Sequence, residues 1–220
     1  EKEQKSSRDL VQDNIPFVRQ AIPIDYRDDK GHHERGIICE DARGGTLSNL
    51  NFLTKTEQAL DLARALKTLH QKGYSHPNFS SYALLHGEKG IHPVLGNFSL
   101  LQKGPPFSSR PLLDSPPFCP APEFIAALLQ GSPISVDQSM DLWGLGDVLH
   151  DVLIGGSCFE KYELTREQGL DNGVIFLERV QQLQTELEEY LRTHNRPIDV
   201  CMANLLSPDP KKRPTAEAVC

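Results

Sequence analysis

The 220 residues carry 38% hydrophobic and 24% charged side chains, an ordinary balance for a globular chain long enough to build one substantial core. The net charge of −7, with no cationic tract longer than Lys211-Lys212-Arg213, excludes broad contact with nucleic-acid phosphates or anionic lipid, since such surfaces need clustered cations. Five scattered cysteines, Cys39, Cys119, Cys158, Cys201 and Cys220, include no C-x-x-C pair and read as free thiols of a reducing compartment, so a cytoplasmic location is expected.

The chain opens on Glu1 rather than Met and is read as a fragment or a processed chain, without a signal-peptide core. Residues Lys2 to Val11 are good helix formers with weak amphipathicity. Phe17 to Ile24 and Arg35 to Cys39 flank the polar Asp28-Asp29-Lys30-Gly31-His32, which reads as two strands and a turn. His32-His33 belongs to that turn, and no metal site is expected there. Thr54-x-x-Glu57 reads as a capping box opening a helix whose core face is Leu60, Ala63, Leu66 and Leu69, with Lys72-Gly73 ending it.

Ala83-Leu84-Leu85 and His92-Pro93-Val94-Leu95 around Gly87-Glu88-Lys89-Gly90 give a hairpin signal. Lys103 to Pro122 is too crowded with Pro and Ser for helix or strand. Three helical segments follow: Pro122 to Leu129, the strongly apolar Asp141 to Ile154, and Val174 to His194 with Phe176, Val180, Leu183, Leu187 and Tyr190 on one stripe. Thr215 can cap a last short helix. No apolar run approaches the roughly 20 residues of a membrane span, so no membrane contact is expected.

Several motifs in order resemble the protein-kinase superfamily. Tyr74-Ser-His-Pro-Asn-Phe-Ser-Ser-Tyr-Ala-Leu-Leu resembles the catalytic loop H-R-D-L-x-x-x-N, aligned on His76, and Val94-Leu-Gly-Asn-Phe-Ser resembles the strand and turn of D-F-G. Ile37-Ile-Cys-Glu-Asp-Ala is similar to the fifth strand and hinge, which places Cys39, Glu40, Asp41 and Ala42 at the nucleotide edge. Ala121-Pro-Glu123 matches A-P-E, Asp141-Leu-Trp-Gly-Leu-Gly146 resembles the start of the central helix, and Pro208-Asp-Pro-Lys-Lys-Arg-Pro214 the closing motif. The resemblance implies an α+β, protein-kinase-like fold. Residues 1–43 would be a partial N-lobe with helix C, strands 4 and 5 and the hinge, and 44–220 a mostly helical C-lobe.

It also implies structural roles: Glu123 paired with Arg213, Asp141 bracing the loop backbone near His76, and His76 and Phe98 in the regulatory spine. Against the same motifs, Asn78 stands where a kinase carries its catalytic Asp, Ala83 where an Asn holds a metal, and Asn97 at the D-F-G Asp. Phosphoryl transfer works through positioned metal ions and charge stabilisation, and a methyl group or neutral amide supplies little of either. From this the chain is expected to be a pseudokinase rather than an enzyme. It would act as a scaffold or allosteric regulator, with an active kinase or signalling complex as protein partner. No cofactor is expected, ATP included. The alternatives are a divergent kinase-fold transferase and a metal-independent nucleotide-binding switch. Candidate partner-binding residues are Leu112, Leu113 and Phe118 in the Pro-rich segment, and Leu183 and Leu187 on the long helix.

Overall fold

The computed structural model describes residues 21–27, 33–39, 52–79, 84–86, 93–95, 100–104, 119–134, 136–159 and 169–220. Strands β1 (Ala21–Arg27) and β2 (His33–Cys39) pair antiparallel, from Ala21 opposite Cys39 to Arg27 opposite His33. After helix α1 (Phe52–Gln71) come the short strands β3 (Tyr74–Ser75), β4 (Leu84–His86), β5 (Pro93–Leu95) and β6 (Gln102–Lys103). β4 and β5 form the expected hairpin, Leu84 facing Leu95, while β3 pairs with β6. Helices then dominate: α2 (Pro122–Gln130), α3 (Ser139–Leu153), α4 (Gly169–Leu191), α5 (Pro197–Leu205) and α6 (Ala216–Val219). The fold is mostly helical with small two-stranded antiparallel sheets.

Helix α3 is the centre of the core. Met140, Leu142, Trp143, Leu145, Val148, Leu149 and Val152 are all buried, together with Asp141 and Asp147, so it is enclosed around most of its circumference, the signature of a helix with neighbours on several sides. Two glycines let those neighbours approach. A Cβ at Gly144 would overlap the carbonyl oxygen of Phe79, and one at Gly146 would meet the Leu206 side chain at 2.9 Å. Gly144→Ala is therefore expected to destabilise by about 1–3 kcal/mol, because the collision is with backbone and α3 itself must shift. Urea unfolding measures it.

Helix α1 packs Leu62, Ala63, Leu66 and Leu69 inward and stops at Gly73, whose φ of +77° suits glycine. It begins at Phe52, so Thr54 and Glu57 lie inside its first turns and the expected capping box is displaced. Helix α5 was not anticipated. Pro197 at its first turn and Asp199, which accepts from the Arg196 backbone N–H at 3.0 Å, open it. Thr215 accepts from the Ala218 N–H at 3.2 Å and caps α6.

Candidate functional site

The sequence motifs converge at the N-terminal end of α3. Asp141, in its first turn, is completely buried, and three donors from elsewhere in the chain meet its carboxylate. The His76 backbone N–H donates to Oδ2 at 2.8 Å, His70 Nε2 donates to the same oxygen at 2.8 Å, and Ser75 Oγ donates to Oδ1 at 3.0 Å. A buried carboxylate is tolerated only with such partners. One side chain of α3 thereby holds the end of α1, strand β3 and the loop beyond it.

The neighbouring Gln138 adds a second clamp. Its side-chain amide donates to the His70 carbonyl at 3.1 Å and to the Tyr74 carbonyl at 2.8 Å, fixing both sides of the turn that closes α1. The loop then folds on itself: the Phe79 N–H donates to the His76 carbonyl at 2.8 Å, and the two rings meet edge-on at 6.0 Å. Asn78, at the tip, is 6% exposed. His70, Ser75 and Gln138 went unnoticed in the sequence, where nothing marks an isolated polar residue as the partner of one more than sixty positions away.

At the opposite side of α3's first turn, Arg213 reaches Glu123 through two parallel bonds, Nη1 to Oε1 and Nη2 to Oε2, each 2.7 Å. The same guanidinium donates to the Ser139 and Ser207 carbonyls at 2.9 Å and lies over the Trp143 ring at 5.2 Å. The planar fork suits this combination of carboxylate, carbonyls and aromatic face. It ties α2, α3 and the segment after α5 together.

A third polar cluster lies further along α3. Asp147 is buried, accepts from Ser157 Oγ at 2.8 and 2.9 Å and from the Cys158 N–H at 2.8 Å, and has its pKa raised by burial despite those bonds. Between the ordinary carboxylate value and the raised one, the folded chain holds a proton that the unfolded chain lacks, so stability falls as pH rises through that window. Asp147→Asn keeps an acceptor and lacks the titration. Its stability relative to the parent chain is expected to improve as pH rises above the ordinary carboxylate value, read by urea unfolding. Burial also pushes the Cys119 and Cys158 thiols up, so both behave as inert core groups.

Of the other positions singled out by sequence, Ala83, Asn97, Phe98, Glu40, Asp41, Ala42, Leu112, Leu113 and Phe118 lie outside the described residues. Cys39 ends β2, and its side chain is likewise outside them. Leu183 and Leu187 require correction. They are 0% and 3% exposed and pack in the core with Phe176 and Val180, so the apolar stripe of α4 faces the domain and offers nothing to a partner. Among the described residues no group of three His, Cys, Asp or Glu is placed to hold a metal, and no helix is long and apolar enough to cross a membrane.

No protein-family model matches the chain. It is 23% identical to serine/threonine-protein kinase 16 of Homo sapiens over 222 aligned positions, covering 91% of this chain and 68% of that protein. It is 28% identical to the serine/threonine-protein kinase ULK3 of Homo sapiens, covering 67% of this chain and 26% of the relative. With dual specificity testis-specific protein kinase 1 of Homo sapiens the figure is 29%, over 61% of this chain and 23% of the relative. These similarities, with the mostly helical architecture, support a kinase-like domain. They also correct the expectation that it is not an enzyme: all three relatives are named protein kinases, and the assignment of Asn78, Ala83 and Asn97 to lost catalytic positions rested on motif resemblance alone.

Proposed function

We propose that this kinase-like domain serves phosphate signalling by holding a protein partner, with an active kinase or a signalling complex as the partner class. The observation that carries the reading is the bracing of the His76–Phe79 loop by the buried Asp141, whose carboxylate accepts from the Ser75 hydroxyl and the His76 N–H and so favours a single loop conformation. A pre-organised segment of this kind lowers the ordering cost of binding. The partner reading needs no bound cofactor.

A second reading is a divergent kinase-fold transferase, favoured by the printed names of the relatives. It requires ATP and a divalent cation. One experiment separates the two: mild crosslinking and purification of the tagged full-length protein from its own cells, beside an assay with radiolabelled ATP. The partner reading expects a stoichiometric signalling protein crosslinked to this domain. Label transferred to a protein substrate with no enriched partner would replace it with the transferase.

A further inference from the structure

Helix α4 turns Phe176, Val180, Leu183 and Leu187 into the core, yet its opposite side is not simply a solvated one. Val174 and Ile175 stand 51% and 48% exposed, the most exposed large hydrophobics among the described residues. Stepping by three and four, the exposed positions 174, 178, 182, 185 and 189 form one continuous stripe. Beyond the apolar pair, that side carries Glu178, Glu186, Glu188 and Glu189 among the neutral Gln182 and Thr185, with Arg192 at its far end and no lysine. Arg179 is turned to its edge and engaged by Glu186 at 2.8 Å.

An apolar pair followed by a face of net negative charge has a definite complement. Solubility alone would not call for two adjacent β-branched residues, which are weaker helix formers than the alternatives. A second copy of this chain would set glutamates against glutamates, and an anionic lipid surface would repel them. We propose that the outward face of α4 docks a basic amphipathic segment of the protein partner, its apolar residues on Val174 and Ile175 and its Lys or Arg side chains along the glutamates. This rests on the partner reading above and names the chemistry of that partner.

The test uses a fluorescent peptide of about 16 residues, the length of the stripe at about 1.5 Å per residue, with two leucines at one end and lysines spaced by three and four. Anisotropy titration against the whole chain is expected to give saturable binding, weakened at least tenfold between about 50 mM and about 300 mM salt. Val174→Ser with Ile175→Ser, and separately Glu178→Lys with Glu189→Lys, are each expected to weaken it at least tenfold at unchanged melting temperature. Glu57→Lys, at an exposed position of α1, controls for net charge.

Failure to bind, equal loss with Glu57→Lys, or indifference to the serine pair would overturn the proposal. So would a concentration-dependent dimer in sedimentation that the serine pair abolishes, since the face would then belong to a second copy. A cellular partner whose crosslinks fall on another face would overturn this docking surface and leave the proposed function standing.

Discussion

Glu123→Ala is expected to lower the unfolding free energy by about 3–5 kcal/mol, the usual cost of removing one member of a buried ion pair. The choice of partner matters. The Arg213 side chain is 0% exposed and that of Glu123 24%, so removing the carboxylate leaves the more deeply buried charge without its counter-ion. The guanidinium would keep its bonds to Ser139 and Ser207 carbonyls but lose both short bonds to carboxylate. At about 2–4 °C per kcal/mol for a chain of this size, the melting temperature should fall by roughly 6–20 °C. Glu123→Gln retains one acceptor and should fall between. A loss under about 1 kcal/mol for Glu123→Ala would mean that the pair does not clamp α2 to α3.

Asp141→Ala should cost a similar amount, about 3–5 kcal/mol, by a different route. It leaves the His76 N–H, the Ser75 hydroxyl and His70 Nε2 facing a methyl group, each unsatisfied buried donor costing about 1–3 kcal/mol before any relaxation. Asp141→Asn is the more informative variant: its oxygen can take one or two of those donors while its amide opposes the third. It should retain the fold and lose about half as much. Urea unfolding of the three chains measures both, and an unchanged midpoint in either would remove Asp141 as the brace of the loop.

How much of this was legible in the sequence follows from the physics of each signal. The long apolar periods of α3 and α4 mark helices reliably, because burial repeats with the helical turn. The same period does not say what a stripe packs against, and Leu183 and Leu187, candidates for a partner, face the core. The two-residue strands β3 and β6 carry no period to detect, and their pairing joins Tyr74 to Lys103 and Ser75 to Gln102 across the intervening β4 and β5. Helix α5 was readable in retrospect: Pro197 followed by Asp199 is a helix start. The positions of Glu123, Asp141 and Arg213 came from ordered motifs rather than composition. The clamps are set by topology, which brings His70 and Ser75 to the Asp141 carboxylate and the Gln138 amide to the His70 and Tyr74 carbonyls, each across more than sixty positions.

The most direct test of the account is native-state hydrogen exchange at the His76 amide. If the loop and α3 form one rigid unit, that amide opens only with the whole domain, at the same free energy as the amides of Leu145 and Val148 in the middle of α3. Exchange through a local opening several kcal/mol cheaper would contradict it: the loop would then be a mobile segment resting on α3, and the scaffold proposed for partner binding would lose its foundation.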